Sequence, residues 1–322
     1  MKPTPEISFV IPLFNEEENF ELLIKRLEEL RKTLSLESEV VLIDDGSKDK
    51  TAMLMNNLAL SNDAYLCVFL SKNHGHQLAL SAGLSVARAK KAIMILDGDL
   101  QDPPEMIHNF LVELNNGYDV VYGIRKQRKE GLLKKMAYWT YYRIMKSIAH
   151  IDLPLDSGDF ALISRKVADY MNNMPEQNRY LRGMRTWIGF KQIGIEYSRD
   201  ARHAGTTKYS WKKLFELANS GIYNFSDIPV KVITRLGITA IAIALIYLAY
   251  TLFQKIFYNN VPTGFTALIF AIVMFSGVQL ISLGIIGEYV LRIYRQAQNR
   301  PLFIIDKVIS DKQVKDGQEL LR

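Results

Sequence analysis

The sequence has almost no cysteine, since Cys67 is the only one in 322 residues. A single thiol cannot form an intramolecular disulfide, so a disulfide-rich secreted scaffold is excluded. Charged residues make up 23% of the chain and aromatic residues 11%, which excludes disordered and low-complexity classes. The 40 Lys and Arg residues exceed the 34 Asp and Glu residues, giving a net charge of +6. This excess favours an anionic partner: nucleic acid, a membrane surface or a phosphate compound.

Charge is absent from two long stretches near the C-terminus. Leu236–Phe253 has 18 residues without a charge, and Thr263–Gly287 has 25. About 20 apolar helical residues cross a bilayer core of about 30 Å, so each stretch can span a membrane. With a turn at Gln254–Pro262 they predict a helical hairpin. The alternative is a pair of buried core helices.

The charges that flank the hairpin predict its orientation. Basic residues stand before the first stretch and after the second, whereas the turn carries only Lys255. The positive-inside rule therefore predicts that both termini are cytoplasmic. Residues 1–6 are polar and the apolar run after them is short, so we expect no signal peptide.

The first 229 residues alternate short apolar runs with helix-like segments. The predicted strands are Ile7–Leu13, Glu39–Ile43, Tyr65–Leu70, Ala92–Leu96 and Asp119–Tyr122. The predicted helices are one capped by Asn15 with Glu18 three residues later, and Thr51–Leu60, Gln77–Ala89 and Pro104–Asn115. This alternation predicts a mostly parallel sheet covered by helices on both faces. Ligands of such sheets bind at the carboxyl ends of the strands.

Polar clusters follow four of the predicted strands, at the edge where ligands are expected. Asp97 and Asp99 come directly after an apolar strand, with Gln101 two residues further on. Their hard oxygen atoms suit Mg²⁺ or Mn²⁺, which in proteins usually bridge to substrate phosphates. The alternative for a single cluster is a loop turn or a helix cap, as Asp49 and Thr51 suggest.

The order and spacing of these clusters resemble a known family. The motifs are Pro12-x-Phe14-Asn15-Glu16, Asp44-Asp45-Gly46-Ser47-x-Asp49-x-Thr51, Asn73-x-Gly75 and Asp97-x-Asp99-x-Gln101-Asp102-Pro103-Pro104. They resemble the family 2 glycosyltransferases with the GT-A fold, and among these the polyprenyl-phosphate glycosyltransferases. The resemblance covers nearly the whole chain. It implies an α/β, Rossmann-like catalytic domain followed by amphipathic juxtamembrane helices and a two-helix transmembrane hairpin.

The resemblance also implies roles for single residues. Asp159 matches the family's proposed catalytic aspartate. Asp97, Asp99 and Gln101 would hold the metal, Mg²⁺ or Mn²⁺. The residues implied in binding the nucleotide sugar are Pro12, Phe14, Glu16, Asp45, Asp97, Asp99 and Arg125. Phe14 departs from the many relatives that have Tyr, so stacking on the base is kept and a hydroxyl is lost.

Basic and aromatic residues in two further segments suit a lipid acceptor. Residues 132–148 and 211–225 resemble basic amphipathic helices that lie in a membrane interface. The alternative is a pair of ordinary surface helices. Arg202, Lys208 and Ser210 lie in a loop that the family uses for donor or acceptor phosphate.

Together these features predict residues 1–229 as a cytosolic catalytic domain, 230–295 as the hairpin and 296–322 as a cytosolic tail. The activity implied by the resemblance is inverting transfer of a sugar from a UDP-hexose such as UDP-glucose to undecaprenyl phosphate, at the bacterial inner membrane. The alternatives are a processive polysaccharide synthase and a non-catalytic nucleotide-binding protein. Nucleic acid is not expected as a partner. Small residues at Gly277, Gly284 and Gly287 leave a homo-oligomer open.

Overall fold

A computed structural model of the chain describes residues 4–126, 157–198, 228–258 and 264–317. These residues form two compact units. The first contains 4–126, 157–198 and 301–317, and the second contains 228–258 and 264–300. The predicted interfacial segments 132–148 and 211–225, and with them Arg202, Lys208 and Ser210, lie outside the described residues.

The first unit is built on a nine-stranded sheet. In chain order the strands are β1 Ile7–Leu13, β2 Ser38–Asp44, β3 Tyr65–Leu70, β4 Ala92–Ile95, β5 Val120–Lys126, β6 Ser157–Ser164, β7 Gln192–Ser198, β8 Ile305–Ser310 and β9 Gln313–Asp316. Their order across the sheet is β7-β5-β6-β4-β1-β2-β3-β8-β9. The five strands predicted from the sequence are confirmed, although β5 runs four residues beyond its predicted end.

The direction of the strands gathers polar loops at one edge of the sheet. β4, β1, β2 and β3 are parallel neighbours, so their carboxyl ends share that edge. β6 lies antiparallel between β4 and β5. The amino end of β6, with Asp159, therefore lies at the same edge as the residues that follow β4.

Helices cover both faces of the sheet. They are α1 Glu17–Thr33, α2 Thr51–Ser61, α3 His76–Val86, α4 Ile107–Asn115, which follows a 3₁₀ turn at Pro104–Met106, α5 Arg165–Asn173 and α6 Leu181–Trp187. One apolar cluster contains buried residues of α1, α2 and α4, and a second contains those of α3, α5 and α6. α3 ends at Val86, three residues before the predicted Ala89, and its next residue is extended.

The predicted cap of α1 is wrong. Glu16 occupies the N-cap position and makes no side-chain capping hydrogen bond. Asn15 has a left-handed backbone with φ of 52°, and its Oδ1 accepts a hydrogen bond from Lys48 N at 2.8 Å. The side chain of Asn15 therefore binds the loop after β2 and not the start of α1. The N–H of Glu17, the first residue of α1, donates to Asp49 Oδ2 of the same loop at 3.2 Å.

The C-terminal residues return to the sheet, which the sequence analysis did not predict. β8 pairs antiparallel with β3, and β9 pairs with β8. Val308 and Ile309 are fully buried. Lys307 donates a hydrogen bond from Nζ to Asn56 Oδ1 at 3.0 Å and lies over the ring of Phe69. β8 thereby covers an edge of the sheet that β3 would otherwise expose.

The second unit consists of two long helices, α7 Ile228–Tyr258 and α8 Phe265–Ala297. Within them Val230–Tyr258 and Phe270–Ala297 are long and apolar enough to cross a membrane, with mean hydropathies of 2.2 and 2.1. The predicted turn at Gln254–Pro262 begins too early, because α7 continues to Tyr258. Large apolar side chains project outward along both helices, and Ile246, for example, is 70% exposed.

Candidate active site

Two loops at the carboxyl edge hold each other in place. Asn15 N donates to Ser47 Oγ at 3.0 Å, and Glu16 N donates to Thr51 Oγ1 at 2.9 Å. The Asp49 side chain accepts from Thr51 N at 3.0 Å. The polar residues after β2 therefore fix the loop that carries Phe14 and Glu16, two of the residues predicted to bind the nucleotide sugar.

Asp45 orders the loop that starts α3. Its Oδ1 accepts from His74 N at 2.7 Å and its Oδ2 accepts from Gly75 N at 3.0 Å. Gly75 has a φ of 93°, in the left-handed region that favours glycine. Burial raises the pKa of Asp45, and the two backbone hydrogen bonds oppose that shift. The predicted contact of Asp45 with a base or ribose stays a prediction.

Asp97 and Asp99 follow β4 at this edge. Gly98 between them lies against Leu13, since an added Cβ would come within 2.3 Å of Leu13 Cδ2. Asp99 Oδ1 accepts from Gln101 N at 3.2 Å. Asp97 Oδ1 is buried without a hydrogen-bond partner. Burial raises the pKa of Asp97 to about 6, although the neighbouring His76 opposes the shift.

Asp159 lies inside a network of donors. Gln77 Nε2 donates to Asp159 Oδ2 at 2.8 Å. His76 Nε2 lies 3.3 Å from the same oxygen and 3.6 Å from Asp97 Oδ1, and Arg182 Nε lies 3.2 Å from Asp159 Oδ1. Burial alone would raise the pKa of Asp159, but Arg182 and the His76 hydrogen bond outweigh it and lower that pKa. The structure thus brings the two predicted carboxylates, Asp97 and Asp159, to the same imidazole nitrogen, His76 Nε2.

Arg125 is held by a second network beside the first. Its Nη2 lies 3.4 Å from Oδ2 of the buried Asp102, and its Nε donates to Tyr197 Oη at 3.3 Å. Tyr197 in turn donates to Asp102. A Cβ added at Gly158 would lie 3.0 Å from Arg125 Nη2, so this glycine leaves room for the guanidinium beside Asp159. The predicted contact of Arg125 with a donor phosphate stays a prediction.

The residues after β4 fit a hard divalent cation. Asp97 offers a buried oxygen without a hydrogen-bond partner, and two carboxylates with an amide oxygen are donors that Mg²⁺ and Mn²⁺ accept. Within the described ranges, no group of three or more His, Cys, Asp or Glu residues is arranged so that its side chains alone could hold a metal ion. Waters and substrate phosphates would have to complete the coordination, as is usual for Mg²⁺.

Four residues of the site were not predicted as functional residues. His76 and Gln77 open α3, directly after the Asn73-x-Gly75 motif, and Arg182 and Arg185 lie on α6. Arg185 Nη2 donates to Gly158 O at 3.2 Å, next to Asp159. The signal for His76 and Gln77 was their adjacency to a recognised motif. Neither arginine stands next to one of the motifs that carry the family resemblance.

A sheet of this order, with carboxylates and cations gathered at its carboxyl edge, fits the class of GT-A glycosyltransferases that the motifs resemble. Comparison with models of protein families identifies the family. The model described as "Glycosyl transferase family 2" matches residues 8–171, and the chain belongs to that family.

Individual relatives match over almost the full length. "Uncharacterized glycosyltransferase YkcC" of Bacillus subtilis (strain 168) is 39% identical over 303 residues, which cover 94% of each chain. "Prophage bactoprenol glucosyl transferase homolog" of Escherichia coli (strain K12) is 36% identical over 304 residues, 94% of this chain and 99% of the relative. A solved glucosyl-3-phosphoglycerate synthase from Mycobacterium tuberculosis, with Mn²⁺ and UDP, is 18% identical with a TM-score of 0.48, covering 68% of this chain and 77% of that one.

Proposed function

We propose that this glycosyltransferase transfers a hexosyl group, glucose in the first instance, from a nucleotide sugar to the phosphate of a polyprenyl lipid. The observation that carries the proposal is the Asp97–His76–Asp159 arrangement at the carboxyl edge of the sheet. It places Asp159, a carboxylate whose pKa is lowered, beside Asp97, a carboxylate that follows β4 together with Asp99. The first suits the reacting centre, and the second suits the diphosphate end of a donor.

The lipid acceptor is inferred from two independent features. A relative with 36% identity over nearly the whole chain carries the name bactoprenol glucosyl transferase homolog. The two long helices expose large apolar side chains along Val230–Tyr258 and Phe270–Ala297, which suits a bilayer. We propose that they form a transmembrane hairpin with both termini in the cytoplasm, which would keep the enzyme beside a membrane-bound acceptor.

The proposed reaction exchanges one bond at the anomeric carbon. An oxygen of the acceptor phosphate forms a bond to that carbon, and the bond to the donor diphosphate breaks, with the electron pair leaving on the diphosphate. Attack from the face opposite the leaving group inverts the configuration. The second pKa of a phosphomonoester is about 6, so the acceptor is mostly dianionic at neutral pH.

The residues of the chain have separate tasks in this scheme. Asp159, which stays ionised because its pKa is lowered, orients the acceptor. Arg182 and His76 hold Asp159 in its charged form. Arg125, fixed by Asp102 and Tyr197, presents a guanidinium near the same edge to phosphate oxygen atoms. A divalent cation held by Asp97, Asp99 and Gln101 would stabilise the negative charge that develops on the departing diphosphate.

The test separates donor binding from transfer in the purified full-length protein. Undecaprenyl phosphate is incubated with a panel of nucleotide sugars in Mg²⁺, Mn²⁺ or EDTA, and nucleotide-sugar binding is measured by calorimetry. D159N is expected to bind the donor as the wild type does but to lose about 10²-fold in rate, the cost of misplacing a reacting group by about 1 Å. D97N is expected to weaken donor binding in the presence of metal, because it removes a ligand charge.

Asp169 provides a matched control. It is an aspartate of α5 that pairs with Arg165 at 2.8 Å on the surface, and D169N is expected to keep both binding and transfer. Transfer by D159N at the wild-type rate would overturn the role of Asp159. A wild type that forms no lipid-linked product from any donor would overturn the proposed function.

A further inference from the structure

Gln77 joins three elements of the active site through one side chain. It is the second residue of α3, and its Nε2 donates to Asp159 Oδ2 at 2.8 Å, on β6. Its Oε1 accepts from the backbone N–H of Leu181, the first residue of α6, at 2.9 Å. The arginine that pairs with Asp159, Arg182, is the next residue of that helix.

The backbone partner fixes the direction of the Gln77 amide. A backbone N–H can only donate, so the Gln77 oxygen must face Leu181 and the nitrogen must face Asp159. The N–H that reaches Asp159 then requires an acceptor, which the ionised carboxylate provides. The amide therefore holds one rotamer of Asp159 and favours its charged form.

Charged groups from three elements also surround Asp159. His76 precedes Gln77 on α3, Arg182 and Arg185 approach from α6, and Asp97 faces His76 from the end of β4. His76 and Arg182 contact Asp159 through side-chain nitrogen atoms. Gln77 adds a link of another kind, because its other end accepts the backbone N–H that starts α6.

We propose that Gln77 is a positioning residue for the transfer reaction, one that sets the rotamer of Asp159 and couples it to the helix that carries Arg182. The inference rests on the proposed function, since it assigns Gln77 a task through Asp159. It also goes beyond that function, because Gln77 itself is not expected to touch either substrate. Removing the amide should therefore change turnover and leave donor binding in place.

The variant Q77M keeps the length of the side chain and removes both hydrogen bonds. In the full-length protein with undecaprenyl phosphate, its kcat is expected to fall about 10- to 100-fold, as misplacement of a reacting group by about 1 Å does. Its KM for the nucleotide sugar is expected to stay within about twofold of the wild type, because Q77M removes a contact that orients Asp159 and none that binds the donor. The side chain of Q77N is too short to make both contacts, so its kcat should lie between those of the wild type and Q77M.

Asn172 of α5 offers a matched control that also bonds to α3. Its Nδ2 donates to Leu84 O at 3.0 Å, near the C-terminal end of α3, whereas Gln77 lies at its N-terminal end. N172M removes an inter-element amide bond of the same kind. It is expected to lower the midpoint of thermal unfolding but to keep kcat. If N172M and Q77M reduce kcat equally, Gln77 is only a structural tie and the inference is overturned.

A second readout does not depend on transfer. The midpoints of thermal unfolding of Q77M, D159A and the double variant are compared in detergent, with N172M/D159A as the additive control. The contact predicts that the double variant shifts less than the two single shifts together, since either change alone already breaks it. Additive shifts, or an active wild type with an unchanged kcat in Q77M, would overturn the inference. The two hypotheses can also fail separately. If the variants show non-additive shifts but the wild type transfers sugar to no lipid phosphate, the Gln77–Asp159 coupling is supported and the proposed function is overturned.

Discussion

Ile309 of β8 is fully buried, and its replacement by alanine tests whether the C-terminal segment is an integral part of the nine-stranded sheet. Its Cα pairs with that of Cys67 on β3. The side chain belongs to the apolar cluster that also contains Met55 of α2. The segment follows the two apolar helices in the chain, so a strand at this position ties the C-terminal residues to the unit that carries the active site.

The size of the effect follows from this burial. I309A removes three carbon atoms, at about 0.8 kcal/mol for each buried methylene-sized group. A residual cavity adds to this loss, and measured Ile→Ala changes in cores cost about 2–5 kcal/mol. A value of about 3 kcal/mol lowers the unfolding midpoint by roughly 6–12 °C in a domain of about 150–250 residues.

The assay is thermal unfolding of the full-length protein in detergent, followed by tryptophan fluorescence. V314A on the neighbouring strand β9 is the control, since Val314 is 58% exposed and a surface change of this kind costs less than about 0.5 kcal/mol. I309A should unfold well below V314A. Equal midpoints for I309A and the wild type would refute the packing of β8 against β3 and α2.

Two further predictions concern packing around the same sheet. In G83A the new Cβ would lie 2.5 Å from Val10 Cγ1 and 2.6 Å from Ile43 Cδ1, so overpacking of about 1–3 kcal/mol should exceed the helix-propensity gain of about 1 kcal/mol. The urea midpoint should therefore fall, and a rise would contradict the close approach of α3 to β1 and β2. Cys67 is fully buried, and burial raises the pKa of its thiol. A disulfide reagent at pH 8 should label it only after denaturation, whereas rapid labelling of the native protein would show that β3 is accessible.

The central strands could be predicted because they are buried on both faces. β1 and β3 are continuous apolar runs, and the sequence predicts both at their observed bounds. β8 carries Asp306 and Lys307 in a run of six residues, which is a weak pattern for a strand. The residues of that run do not by themselves indicate that the chain returns to the sheet after two long apolar helices. The pairing of β8 with β3 is therefore determined by tertiary contacts.

The active site was predictable only in part, for a related reason. The Asp97-x-Asp99 motif was found from its place after an apolar strand, and Asp159 from the resemblance to a family. The contacts of Gln77 and Arg182 with Asp159 depend on the antiparallel placement of β6 and on the seven-residue helix α6. Spacing along the chain carries no signal for contacts between residues 82 positions apart, as Gln77 and Asp159 are.

The central claim is tested most directly by the product of one reaction. Full-length protein is incubated with UDP-[¹⁴C]glucose, undecaprenyl phosphate and Mg²⁺ or Mn²⁺, and the label is measured in the organic extract. The account predicts a labelled glucosyl phosphate lipid whose anomeric configuration is inverted relative to the donor. The same extract should carry no label when undecaprenyl phosphate is omitted. A labelled lipid with retained configuration would contradict the single displacement, and no labelled lipid with any nucleotide sugar would contradict the assignment of a polyprenyl phosphate acceptor.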